Sequence, residues 1–291
     1  MKKISKAVIP AAGFGTRFLP FTKSVPKEML PIIDTPAIEY NIREAINSGI
    51  TDIVIVISPD KECIKTHFLH NEIFEQFLIK KGKTHELDII TEMPNTINVK
   101  FVYQKEQLGL GHAVLCAKEF IGDDDFALLL GDDVYVGNNG PVLKDLIGEY
   151  NQYQASIIGT LKVPQEEVSR YGICEPLGEE VNRVVKLKGV IEKPSIMGAP
   201  SNLAIGGRYI LTNSIFKYLE NQIEGSGGEI QLTDSISRLL EDEEVYSYLI
   251  DGKRYDIGSK IGYLEAIIEI ALKRDDLKDD VSKIINKIMQ A

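Results

Sequence analysis

The chain has 291 residues, 44% of them hydrophobic and 26% charged, with a formal net charge of −10. That length and balance allow one large or two fused globular domains with a sizeable core. The acidic excess argues against a general affinity for nucleic acid or for anionic membranes. No apolar run approaches the roughly 20 residues of a membrane-spanning helix. The basic start, Lys2-Lys3, runs into an apolar stretch that Pro10 and Gly13 cut short, so no signal peptide is expected and a cytoplasmic setting fits. Cys63, Cys116 and Cys174 are far apart and form no Cys-x-x-Cys, which predicts reduced, packed thiols. The four histidines form no metal spacing. His67 and His70 could share a helix face but lack a third ligand, and His85-Glu86 lacks the second histidine of a zinc protease.

In chain order, Lys6–Pro10 reads as a strand. Thr35–Ser48 reads as a helix with Ala37, Ile38, Ile42, Ala45 and Ile46 on one side and Gly49 as its stop. Asp52–Ile57 is a buried strand and Lys61–Ile79 a helix. Residues 80–98 read as a polar, irregular excursion. Val99–Tyr103 is a strand, Gly111–Phe120 a helix, and Phe126–Leu130 a strand, with Asp123-Asp124-Asp125 a solvated turn before it. This alternation predicts a three-layer α/β/α, Rossmann-like fold with helices on both faces of a mixed, mostly parallel sheet. In such sheets ligands bind beyond the C-terminal strand ends, and residues 11–17, 104–112 and 131–133 all fall there.

The second half reads as strands at Ala155–Leu161, Gly172–Glu175, Val184–Glu192, Ala204–Leu211 and Val245–Ile250. Helices are predicted at Ile215–Leu219, Leu232–Leu240, Ser259–Lys273 and Leu277–Met289. The last carries a narrow stripe of Val281, Ile284, Ile285 and Ile288, expected to dock on its own domain, with a subunit contact as the alternative. No internal repeat is seen. We expect a single domain over 1–291.

The chemistry concentrates near the N-terminus. Ala11-Ala12-Gly13-Phe14-Gly15-Thr16-Arg17 follows the first strand, and Lys27 stands in Pro26-Lys27-Glu28-Met29-Leu30-Pro31. Small residues let backbone N–H groups approach a ligand, and Arg17 and Lys27 supply positive charge, a combination suited to a triphosphate. The dinucleotide fingerprint does not fit, because Phe18 occupies its third glycine position. Gly82-Lys83-Thr84 is half of a P-loop whose first glycine would be Phe77. Gln104 offers both a donor and an acceptor for a pyrimidine edge. Asp132 follows a buried strand, where an unpaired carboxylate is costly.

These segments resemble the sugar-1-phosphate nucleotidylyltransferases. The match runs through residues 11–17 and 26–31, Gln104 with Gly109-Leu110-Gly111-His112-Ala113, Gly131-Asp132-Asp133, Glu192-Lys193-Pro194 and Asp256-Ile257-Gly258, in order over nearly the whole chain. The segment between Asp60 and Asn98, the Gly109–Ala113 string and residues 228–234 point to the branch using UTP and glucose 1-phosphate. A branch using dTTP or another sugar phosphate is the nearest alternative. A non-catalytic nucleotide-sugar binder is the alternative of another class.

The resemblance implies in-line transfer of a uridylyl group, with Mg²⁺ as cofactor, no nucleic-acid or membrane partner, and a homo-oligomer, dimer or tetramer. It implies catalytic roles for Arg17, Lys27, Asp132 and Lys193. It places the nucleotide on Ala11, Ala12, Gly13, Gly15, Thr16, Arg17, Lys27, Gln104 and Gly109, and the sugar on Gly172, Glu192, Lys193 and Ile205. Asp132 and Asp256 are the expected metal ligands, with Asp133 ranked lower. Arg208 is a further phosphate candidate, and His112 is expected to be a structural helix-start residue. Glu229 and Asp234 could instead cap the helix near Gln231. Residues 1–135 are expected to form mainly the nucleotide half, 155–258 mainly the sugar half, and 259–291 C-terminal helices.

Overall fold

A computed structural model describes residues 2–221 and 228–290. In chain order the elements are β1 (Lys6–Pro10), a two-residue hairpin β2 (Pro31–Ile32) and β3 (Thr35–Pro36), α1 (Ala37–Asn47), β4 (Asp52–Ile57), α2 (Glu62–His67), α3 (Glu72–Lys80), α4 (Thr84–Thr96), β5 (Asn98–Tyr103), α5 (Leu110–Cys116), α6 (Lys118–Ile121) and β6 (Phe126–Leu129). Then come β7 (Asp133–Gly137), α7 (Val142–Tyr153), β8 (Ser156–Lys162), β9 (Gly172–Pro176), β10 (Val184–Glu192), β11 (Leu203–Leu211), α8 (Ile215–Glu220), α9 (Leu232–Leu239), β12 (Val245–Leu249), β13 (Gly252–Asp256), α10 (Lys260–Lys273) and α11 (Lys278–Met289).

Among the described residues nine strands form the main sheet in the order β5-β4-β1-β6-β11-β8-β12-β10-β9. β5, β4, β1 and β6 are mutually parallel, β11 and β10 run against them, and β8, β12 and β9 return to the first direction. The sheet is thus mixed and mostly parallel, as the alternating elements predict. Its two faces follow from strand periodicity. Ala7 and Ile9 of β1 pack with Ile38 and Ile42 of α1 and Leu143 and Leu146 of α7. Val8 packs on the opposite side with Ala113 and Val114 of α5 and Ile236 of α9. Burying the valine, leucine and isoleucine side chains among these on both faces contributes on the order of 1.5–3 kcal/mol each and fixes the three layers.

The helix expected over Lys61–Ile79 is broken into α2 and α3 around Phe68–Asn71, where the Asn71 side chain caps α3. This separates His67, bonded to Glu39, from His70, bonded to Glu75. The expected irregular excursion over 80–98 is largely the helix α4; only Met93 of it is fully buried, so its apolar stripe is faint. The run at Asp123–Asp125 is not wholly solvated, since Asp125 is buried and accepts hydrogen bonds from Tyr150 Oη at 2.6 Å and the Asn213 amide at 2.8 Å. Cys174 is buried, but Cys63 is exposed and Cys116 only partly covered. The apolar stripe of α11 docks on its own domain only in part: α11 lies against α10 with Val281 and Ile285 half-buried, while Ile284, Ile288 and Met289 stand exposed.

A second small sheet positions the chemistry. β7 and β13 pair antiparallel with Asp133 opposite Asp256, and α10 packs behind them through Ala266 and Ile270 against Tyr255 and Ile257. The Ile257 amide donates to the Asp132 carbonyl at 3.0 Å. That register brings Asp132 and Asp256 together although 124 positions separate them in sequence.

Candidate functional site

The C-terminal ends of β1, β5 and β6 open onto one rim of the sheet, where three cavities adjoin. The first, about 350 Å³, has Ala12, Gly13, Gln104 and Gly109 in its wall, together with Lys27 and Asp132. The second, about 200 Å³, is lined by Gly15, Thr16, Arg17, Lys27, Asp132 and Gly258. The third, about 380 Å³, includes Gly172, Glu192, Lys193, Ile205, Asp132 and Asp256. Asp132 is common to all three. Lys27 is shared by the first two, and Arg17 by the last two. The residues expected from the sequence therefore gather at one junction, except Ala11, which is buried behind the first cavity.

The first wall is built by backbone. Gly109 adopts φ +98°, and a Cβ there would stand 2.8 Å from Glu229 Cβ and 2.9 Å from the Ile230 carbonyl, so only glycine fits. Ile230 pins the turn by donating its amide to the Leu108 carbonyl (2.7 Å) and accepting from the Gly111 amide (2.8 Å). Glu229 therefore faces the cavity, and Gln231 holds the N-cap position of α9, so neither Glu229 nor Asp234 is the cap. Gln104 is 3% exposed, and its Nε2 donates to the Gly109 carbonyl (3.1 Å) and faces His112 Nδ1 (3.0 Å).

Beneath the loop lies a feature the sequence reading missed. Lys61 Nζ donates to the carbonyls of Ala11 (2.7 Å) and Gly13 (2.6 Å) and pairs with Glu28 Oε2 at 2.9 Å. The signal was available, because Lys61 follows β4 at the same strand-end rim, but it reads as the start of a helix. Burial pushes the Glu28 carboxyl up, against the opposing pull of Lys61 and Lys27.

The second cavity lies over the turn Thr16–Phe18. Gly15 takes φ +65°, and its carbonyl accepts from Thr22 Oγ1 at 2.8 Å. Arg17 is exposed, with Nη1 3.5 Å from the Gly258 carbonyl. Lys27 Nζ stands 2.5 Å from Asp132 Oδ2. Burial pulls the Lys27 ammonium down, but the charges of Asp132 and Glu28 outweigh it and hold it above its ordinary value. For Asp132 burial acts upward, and Lys27 overrides it to hold the carboxyl below the usual range.

The donors present fit a hard divalent cation. A Cβ built on Gly258 would lie 2.8 Å from Asp132 Oδ2 and 3.1 Å from Asp256 Oδ1, so both carboxylates face one small space that glycine leaves open. Among the described residues no three His, Cys, Asp or Glu groups cluster as a complete cage. A cation here would complete its shell with ligand oxygens and water, as Mg²⁺ commonly does.

Asp133 does not join this pair. Its Oδ1 is 2.6 Å from Arg254 Nη2, and burial pushes its carboxyl up to about 6 despite Arg254. Arg254, which the sequence reading passed over, lines the third cavity two residues before Asp256. Arg208 is a correction of the opposite kind. It is fully buried, pairs with Glu44 at 2.8 Å and donates to Asn41 Oδ1 (2.6 Å) and the Asp133 carbonyl (2.8 Å), so it braces β7 and reaches no ligand space.

In the third cavity, Glu192 Oε2 accepts from Thr233 Oγ1 at 2.8 Å, and Lys193 Nζ is 3.3 Å from Glu192 Oε1. Lys193 has φ +44°, an unusual value for a lysine. Its amide donates to the Tyr171 carbonyl at 3.0 Å, which helps hold that geometry. A Cβ on Gly172 would meet Ile205 Cδ1 at 2.9 Å and Glu192 Oε2 at 3.2 Å.

The profile of the family described as nucleotidyl transferase matches residues 6–273. The UTP–glucose-1-phosphate uridylyltransferase of Bacillus subtilis (strain 168) is 50% identical over 281 residues, covering 97% of this chain and 96% of that protein. The solved structure of UTP-bound UGPase from Acinetobacter baumannii superposes with a TM-score of 0.90 at 41% identity, over 97% of this chain and 98% of that one. A crystal structure of UDP-glucose pyrophosphorylase complexed with UDP-glucose gives a TM-score of 0.85 at 40% identity, over 93% of this chain and 100% of that one.

Proposed function

The chain belongs to the nucleotidyl transferase family, and on that premise we propose that it transfers the uridylyl group of UTP to glucose 1-phosphate, giving UDP-glucose and pyrophosphate. The observation that carries this reading is the junction at Asp132, where three differently lined cavities share one carboxylate. The relatives named for UTP and UDP-glucose support the choice of substrates.

A phosphate oxygen of glucose 1-phosphate attacks the α-phosphorus of UTP while pyrophosphate leaves in line, with no covalent enzyme intermediate. The chain's task is to position two anions and offset their repulsion, which is severe in a site shielded from water. Ala12, Gly13, Gln104 and Gly109 take the base and ribose, with Ala11 behind them. The Gly15 and Thr16 turn offers backbone N–H groups, and Arg17 and Lys27 hold the departing β- and γ-phosphates. On the other side Lys193 holds the sugar phosphate, Glu192 accepts from glucose hydroxyls, and Gly172 and Ile205 bring backbone close to the ring. Asp132 and Asp256 would hold Mg²⁺, which when bound would neutralise charge on the α-phosphate. Asp132 would have to exchange part of its contact with Lys27 for the cation.

In this reading residues 1–135 serve mainly the nucleotide and 155–258 mainly the sugar within one domain, and 259–291 add helices. The bare apolar residues of α11 support a homo-oligomer. No described helix is long and apolar enough to cross a membrane, which fits a cytoplasmic setting. The deciding experiment measures pyrophosphate release from glucose 1-phosphate and Mg²⁺ with UTP or dTTP side by side. Release favouring UTP is expected. A preference for dTTP moves the chain to another branch, and no release with either sinks the reading.

A further inference from the structure

The Gln104 amide is more constrained than the sequence suggests. A backbone carbonyl can only accept, so the contact with Gly109 fixes the Gln104 amide nitrogen on that side. The same nitrogen faces His112 Nδ1 at 3.0 Å. An amide NH₂ carries two hydrogens, and both are then committed inside the protein. His112 Nδ1 must be the unprotonated ring nitrogen, leaving the hydrogen on Nε2, which lies 4.0 Å from Cys116 Sγ. Among the described residues no donor reaches Gln104 Oε1, and that atom is not a buried orphan, so it is the polar atom left to face the cavity.

Resting on the reading of this cavity as a pyrimidine site, we infer that His112 is a positioning residue that, together with the Gly109 carbonyl, makes Gln104 an acceptor only. An acceptor pairs with the N3–H of uracil. It meets the lone pair at N3 of cytosine with a second lone pair, which repels. His112 thus strengthens the choice of UTP over CTP without touching the nucleotide. It stands on α5, whose backbone Ile230 pins through the Gly111 amide, so the imidazole is presented by a fixed element. Remove its acceptor and only the Gly109 carbonyl still holds the amide, which can then turn over as a unit and offer its NH₂ to cytosine N3, while its hold on uracil loosens.

The test compares kcat/KM for UTP and CTP in the wild type, His112→Phe and His112→Asn. Phenylalanine keeps the ring shape without an acceptor, whereas the asparagine Oδ1 replaces Nδ1 in place. His112→Phe is expected to narrow the UTP-over-CTP preference by about tenfold, mostly through a raised KM for UTP with little change in kcat. His112→Asn is expected to stay within about twofold of wild type. A wild-type ratio in His112→Phe, or equal narrowing in both variants, overturns the inference while leaving the proposed function intact. A wild type that does not turn over UTP removes both. ¹⁵N NMR of the wild-type imidazole tests the same point without a variant. An Nε2-protonated ring is expected, and an Nδ1-protonated one overturns the inference.

Discussion

Lys61 and Glu28 form a buried ion pair, 2.9 Å apart with side chains 4% and 2% exposed, directly beneath the loop that carries Ala11 and Gly13. Two charges in such a place are costly unless every lone pair and proton is used. Here the ammonium spends its three hydrogens on one carboxylate and two loop carbonyls. Lys61→Met leaves Glu28 uncompensated and frees the loop. Urea denaturation should show a loss of about 3–5 kcal/mol, and KM for UTP should rise more than KM for glucose 1-phosphate. Unchanged stability would contradict the geometry.

Asp132 is the carboxylate that every cavity shares, so its loss cannot be confined to one substrate. Asp132→Asn should lower kcat roughly 10²-fold or more, the scale of removing one electrostatic contact to the reacting group. Asp256→Asn should do likewise while shifting the Mg²⁺ concentration needed for half-maximal rate. Both are read from initial rates over a Mg²⁺ titration, and full activity in either variant refutes the assignment.

The sugar side predicts a different pattern. Lys193→Ala should raise KM for glucose 1-phosphate at least tenfold with a small effect on UTP binding. Gly172→Ala should act on the same parameter by a steric route, because its Cβ would press on Ile205 Cδ1 and Glu192 Oε2. Steady-state kinetics with each substrate varied separately distinguishes these from effects on the nucleotide side.

Acid stability has one traceable contributor on α1. Burial acts to raise the Glu39 carboxyl, but hydrogen bonds from His67 and Arg43 outweigh it and hold it below its ordinary 4.5. A depressed carboxylate stabilises the fold above the unfolded value and loses that contribution as pH falls through the folded value. The stability gap between wild type and Glu39→Gln should therefore be full above about pH 4.5 and close on further acidification. Urea titrations from pH 3 to 7 read it, and a constant gap counts against the pair.

Much of this could be read in advance where short-range signals dominate. β1, β4 and β10 match their predicted ends because continuous or alternating apolar runs in a sheet buried on both faces leave little choice of register. The glycine and cation motifs likewise gave the rim residues before their neighbours were known. Other features arise only in three dimensions. The α4 stripe is weak, since the helix buries a single residue, Met93. β7 and β13 escaped notice as a pair because Gly252-Lys253-Arg254-Tyr255-Asp256 shows no clean alternation, and their register is what joins Asp132 to Asp256. Arg208 looked like a phosphate ligand because sequence shows its charge but not Glu44, which lies 164 positions away. Sequence shows that a glutamine carries both a donor and an acceptor, but not that the donors of Gln104 are spent on His112 and Gly109, which is a fact of packing alone.

Crystals grown with UDP-glucose and Mn²⁺, examined by anomalous diffraction, test the central claim most directly. The account predicts one metal peak between the Asp132 and Asp256 carboxylates, with uracil against Gln104 and glucose beside Glu192 and Lys193. A metal bound away from both aspartates, or a nucleotide-sugar lying outside the junction they form, would contradict it.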